Sequence, residues 1–268
     1  MSDPNTESIQ PPPPPPMPRS KASDGTAMST AETLSGIFFE PGRVFEALRA
    51  RPRFLVAGAI VIAVSMAFTV LFFQRVGYEN AMREAIEKSP RSSQLSPEQK
   101  EDALEIYQKP YVKAITYCTP IVALALVFAI GGAFYLLGTM AVGQKISYRQ
   151  AVSVWVYAGF APAVVSGLLS ILVLFLKSPD DIDPAQLRGG IVKADLSILV
   201  DDKASPVLAA ALGSIDLFAF YGLFLAALGL RKVAKLSPET AWGIVLTIWT
   251  LKVLLRIIWA TAFGTTIG

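Results

Sequence analysis

Five long apolar runs constrain this chain more than any other feature. They extend from about Phe54 to Phe73, Ile115 to Met140, Ala151 to Leu176, Pro206 to Leu230 and Ala241 to Gly264. Each has about twenty residues or more, enough for an α-helix to cross the ~30 Å hydrocarbon core of a bilayer. Lipid offers backbone groups no hydrogen-bonding partner, so segments of this kind span as helices. The expectation is an all-α integral membrane protein with five transmembrane helices, a membrane domain over 54–264. Composition agrees, since 53% of residues are hydrophobic and 17% charged, too apolar for an ordinary soluble domain.

The same composition removes several kinds of chemistry. Histidine is absent, which excludes Ser-His-Asp and Cys-His nucleophile systems and His-containing zinc sites. The single cysteine, Cys118, lies inside an apolar run, so neither a disulfide framework nor a thiolate cluster can form. A net charge of +3 with no basic patch interleaved with aromatics gives no reason to expect nucleic acid. Asp180, Asp181, Asp183, Asp195, Asp201 and Asp202 make the segment before the fourth run acidic, but without EF-hand spacing, so it reads as a solvated loop. No cofactor, no metal and no enzymatic activity are expected.

The segments before the first run differ from one another. Residues 1–28 are polar and proline-rich, with Pro11 to Pro16 consecutive, a composition that favours an extended, disordered tail. They lack the apolar core of a cleavable signal peptide. Residues 29–53 are patterned instead. Ser29-Thr30-Ala31-Glu32 is a capping box ahead of Leu34, Ile37 and Phe38. After Pro41-Gly42, residues Val44, Phe45 and Leu48 share a face, with Arg43, Arg49, Arg51 and Arg53 around it. The pattern predicts amphipathic helices lying at the lipid headgroups. The first outer connection also predicts helix, over Glu79 to Lys88 as an extension of the first span and again from Ser96. The fourth and fifth spans begin at Ser205-Pro206 and Ser237-Pro238-Glu239, capped starts with proline at the first position. Pro120 and Pro162 fall within spans and predict kinks.

Basic residues in the short connections set the orientation. Arg43, Arg49, Arg51 and Arg53 precede the first span, Lys145 and Arg149 join the second to the third, and Arg231, Lys232 and Lys235 join the fourth to the fifth. All fall on one side of a five-span chain. The N-terminus is therefore expected in the cytoplasm and the C-terminus outside, with Arg43, Arg49, Arg51, Arg53, Arg231, Lys232 and Lys235 at lipid headgroups.

Three charges lie inside the last two runs. An aspartate, lysine or arginine at a helix centre costs roughly 2.5–3.5 kcal/mol, against about 0.3–0.6 returned by each Leu, Ile, Val or Phe. With Lys252 and Arg256, the fifth run needs a partner. In an unbroken fourth helix, Asp216 would stand roughly 21 Å from Leu230, and Arg256 about 22 Å from Ala241. Lys252 and Arg256 are four apart and share a face. These depths predict an ion pair of Asp216 with Arg256 first and Lys252 second, either a staple fixing helix register or part of a polar pathway. Four-residue steps of small residues, such as Ala59-Ala63-Ala67, permit close packing and leave a homo-oligomer open.

With these residues laid out, the chain resembles the bacterial branch of the Yip family, the Ypt-interacting-protein-like membrane domain, over about residues 34–262. The likeness rests on Phe39-Glu40-Pro41 through Arg53-Phe54, on the five-span order, and above all on Asp216-Leu217-Phe218, Leu228-Gly229-Leu230-Arg231-Lys232-Val233 and the Ser237 to Trp242 helix start. Eukaryotic members bind Rab-type GTPases and act in vesicle traffic. Their Asp-Leu-Tyr-Gly-Pro motif is absent here, where the stretch reads Phe39-Glu40-Pro41-Gly42, so the resemblance does not carry GTPase binding to this chain. It implies a non-enzymatic scaffold or partner-binding protein of a bacterial cytoplasmic membrane. The alternative is a small-solute or ion permease using Asp216, Lys252 and Arg256.

Overall fold

In the computed structural model, the described residues are 28–263 without 88, 90–91, 183–190, 193 and 201–204. The Pro11–Pro16 tract lies outside them, as do Lys88, Asp183, Asp201 and Asp202. The described residues form ten α-helices and no strand. Two short helices come first, α1 (Thr30–Phe39) and α2 (Pro41–Ala50). Then come α3 (Leu55–Val76), α4 (Tyr78–Glu87), α5 (Pro97–Gln108), α6 (Pro110–Ala141) and α7 (Tyr148–Leu176). The chain ends with α8 (Pro206–Leu212), α9 (Leu217–Ala234) and α10 (Pro238–Phe263). Five of them, α3, α6, α7, α9 and α10, are long and apolar enough to cross a membrane.

Local chemistry marks the starts expected at Ser29, Ser96 and Ser237, and a further one at Ser147. Ser29 and Glu32 form a reciprocal capping box on α1, and Ser96 with Gln99 and Ser147 with Gln150 do the same on α5 and α7. Such pairs satisfy two of the N–H groups that the first helical turn leaves free. The Ser237 hydroxyl accepts from the Thr240 N–H at 3.2 Å at the start of α10. Pro120 and Pro162 sit within helices α6 and α7 that continue past them. One expectation fails here. The helix after the first span does not extend α3, because Gly77 at φ +88° closes α3 in a conformation open mainly to glycine, and α4 starts anew.

Helix α7 is the central element, packed against α3, α6 and α9. Its first half is buried almost continuously from Ala151 to Pro162. Gly131 of α6 lets the Trp155 indole of α7 lie where any Cβ would stand, within 2.0 Å of ring carbon. Bulk at that one position would force the two helices apart. The outer faces of α6 and α10 carry exposed Leu126, Ile130, Leu137, Leu254 and Ile258, a surface suited to lipid.

The bundle has two apolar cores. The larger lies at the end where α3, α7 and α10 begin, and joins Ile37, Val44, Phe45 and Leu48 to Val154, Tyr157, Leu225, Leu230 and Val245. The smaller lies at the opposite end, where Phe68, Phe72 and Phe73 meet Met82, Ile86, Leu104 and Leu174. The first is called the basic end below, since every short basic connection lies there, and the second the far end.

Candidate functional site

The expected headgroup helices are docked on protein. Val44, Phe45 and Leu48 of α2 and Ile37 of α1 are fully buried, and α2 packs on α9 and α7. The fit depends on Gly229, where a Cβ would come within 2.7 Å of Val154 Cγ1 and 2.9 Å of Phe45 Cε1. Polar groups at this end are paired across the same junction. The Tyr157 hydroxyl donates to Thr33 Oγ1 at 3.1 Å, Gln150 Nε2 donates to the Arg49 carbonyl at 2.8 Å, and Lys232 Nζ meets Glu46 Oε1 at 2.6 Å. An amphipathic face fits lipid or a protein groove equally well in sequence. The small residue at 229 is what makes the groove.

The basic residues therefore divide. Arg49, Arg51, Arg231 and Lys235 are exposed, and exposed Arg43 pairs with Glu40 at 3.2 Å. Arg53 is an internal tie, donating to the Met28 carbonyl and to Thr30 Oγ1. Lys232 is half-buried and engaged with Glu46. Arg51 and Arg53 also border an open cleft of about 640 Å³ with Met28, Ser29, Thr30, Glu32 and Pro52. The Ser29 backbone N–H, then its side chain, hold the Glu32 carboxyl below the usual carboxylate range.

At the far end the fourth apolar run is broken, contrary to the single helix expected over 206–230. Seven residues of α8 stop at Leu212, and α9 starts afresh at Leu217. Ser205 makes no side-chain cap on α8, whereas Asp216 caps α9, its Oδ1 accepting from the Phe218 N–H at 2.8 Å. Other polar groups of the break also find partners, as a membrane setting demands. The Ile215 carbonyl accepts from the Leu196 N–H at 3.3 Å, and the Leu217 N–H donates to the Ala194 carbonyl at 3.2 Å. These form an isolated antiparallel bridge between Asp195 and Asp216. Arg256 Nη1 donates to the Gly213 carbonyl at 3.2 Å.

This geometry replaces the ion pair expected between Asp216 and Arg256. Neither Arg256 nor Lys252 has a carboxylate within 4.0 Å among the described residues, although Asp216 and Arg256 lie within electrostatic range of Lys252. The reason is the break. An unbroken helix satisfies its own carbonyls, but a broken one presents the Gly213 oxygen, which is partially negative at the end of α8 and takes the guanidinium. Asp216 Oδ1 is meanwhile engaged by the Phe218 amide that opens α9. Ser214 is buried within the break, its hydroxyl on the Ala210 carbonyl at 2.9 Å.

The sequence model described as the Yip1 domain matches residues 35–260. The chain belongs to the Yip1 domain family. No curated protein and no solved structure matches it. The Yip1 domain thus begins within α1, takes in α2 and all five long helices, and ends within α10. Two residues inside the matched range have identifiable structural roles: Asp216 opens α9, and Gly229 admits α2. Thr33, Tyr157 and Gln150 were not singled out by the sequence, although the Ser147-x-x-Gln150 capping pattern could have flagged the last.

Proposed function

We propose that this Yip1 domain protein is a non-enzymatic membrane scaffold that binds a protein partner at its basic end. That end would face the cytoplasm of a bacterial cell, as the lysine and arginine distribution favours. The observation carrying the reading is Phe39. It stands at the turn between α1 and α2, 85% exposed, beside Glu40 and Arg43, on a platform whose opposite faces are buried in the bundle. A large aromatic held out on a rigid support suits partner recognition, where such residues dominate binding energy.

The permease alternative needs a polar route between the two sides. Side chains of Phe45, Leu48, Tyr157 and Leu230 fill the basic end without exposure, and this weighs against it. A photo-cross-linking amino acid at Phe39, activated in native membranes, tests the proposal. A discrete protein adduct, lost when Arg43→Glu is added, supports the scaffold reading, and adducts with lipid alone overturn it. Flux into proteoliposomes that disappears with Asp216→Asn would instead favour the permease.

A further inference from the structure

We propose that Lys252 and Arg256 hold the phosphate of an anionic phospholipid from the leaflet at the far end. The inference is independent of the scaffold reading and starts from two cations that meet no carboxylate within 4.0 Å among the described residues. They lie one helical turn apart on α10, and the two bridged acids of the break are each engaged in capping, Asp216 Oδ1 by the Phe218 N–H and Asp195 Oδ1 by the Ser197 N–H. Lys252 is exposed and makes no hydrogen bond or ion pair among the described residues. Arg256 is half-buried, gives one bond to Gly213, and leaves its buried Nε without a partner.

Exposure here does not mean water. Leu251, Leu254, Leu255 and Ile258 beside Lys252 are all exposed, so this face of α10 is apolar and open to the membrane. A bare ammonium in hydrocarbon is costly, and the anion that the surroundings supply is a lipid phosphate. Depth allows the contact. At 1.5 Å per residue, Arg256 lies about 27 Å along α10 from Pro238, and Asp216 about 27 Å along α9 from Ala234. Against a ~30 Å core, both approach the far headgroup layer. Lys252 lies about 6 Å deeper on α10, and its flexible stem can carry the ammonium up to Arg256. Leu254, Leu255 and Ile258 would then lie along the acyl chains. The net positive pair favours a headgroup without an ammonium of its own, hence an anionic lipid over a zwitterionic one.

The test uses the full-length protein in phosphatidylcholine vesicles that contain a photoactivatable phosphatidylglycerol, with adducts located by peptide mapping. We expect adducts on α8 and on the 251–259 stretch of α10, suppressed by excess unlabelled phosphatidylglycerol but not by inorganic phosphate. Lys252→Leu, which removes no hydrogen bond or ion pair among the described residues, should reduce them about tenfold, the size of one charge-assisted bond. Arg256→Lys should retain a substantial share. Equal labelling by a phosphatidylcholine probe, indifference to Lys252→Leu, competition by inorganic phosphate, or a second polypeptide covering α10 would each overturn the proposal.

Discussion

The two ends of the bundle both place arginine near the edge of an apolar core, and resolve it differently. At the basic end, Arg53 is drawn inward by the Met28 carbonyl and Thr30, and two extra helices press Ile37, Phe45 and Leu48 into the bundle. At the far end, Arg256 is held by a carbonyl released where a helix breaks, and the neighbouring Lys252 is left facing the membrane. The first arrangement is a lid built from an added amphipathic hairpin. The second is an interrupted span beside an exposed apolar face of α10. A closed end suits a rigid platform, whereas cations that meet no carboxylate within 4.0 Å among the described residues suit contact with headgroups.

The contrast can be broken most severely at the lid. Phe45→Ala should cost about 3–5 kcal/mol, the usual loss for a large aromatic removed from a packed core, measured by thermal unfolding in detergent. Were α2 lying on lipid instead, detergent stability would barely change. Gly229→Ala should cost about 1–3 kcal/mol by overpacking, because the added methyl meets Val154 and Phe45. Its effect should shrink when α1 and α2 are deleted, which separates the lid contact from the helix contact.

At the far end a smaller effect is expected. Asp216→Ala should lose about 1 kcal/mol as a missing helix cap, while Asp216→Asn keeps most of it. An ion pair would abolish this difference, with Asn nearly as damaging as Ala. Hydrogen exchange at the Phe218 amide distinguishes the two. The smallest effect belongs to Glu32. Its depressed pKa means that the capping box contributes fully above the ordinary carboxylate range and weakens as pH falls through the lower, folded value. The α1 amides should therefore exchange faster only in acid, and Glu32→Gln should remove that dependence.

Much of this was legible in the sequence because lipid leaves few choices. Apolar runs of spanning length must be helices, and Ser29, Ser96 and Ser237 mark three starts. The break at Gly213 was not legible, since Ala209 to Leu212 and Leu217 to Leu230 are apolar on both sides and hydropathy averages across the gap. The Gly213-Ser214 pair ahead of Asp216, a helix-opening residue type, was the available signal. The burial of α2 was hidden for a different reason. Val44, Phe45 and Leu48 show that the helix has an apolar face, but only Val154 and Gly229, more than a hundred residues later in the chain, show what covers it.

The docking of α2 on α9 is the central claim, and one measurement reaches it directly. In a Cys118→Ala background, Glu46→Cys and Lys232→Cys replace the two residues now joined at 2.6 Å, and a short methanethiosulfonate cross-linker is added to native membranes. Docking predicts rapid intramolecular cross-linking in membranes and in detergent alike, with little for Arg49→Cys paired with Lys232→Cys. Absence of the 46–232 cross-link, with a lipid-soluble probe labelling Phe45→Cys, would contradict it.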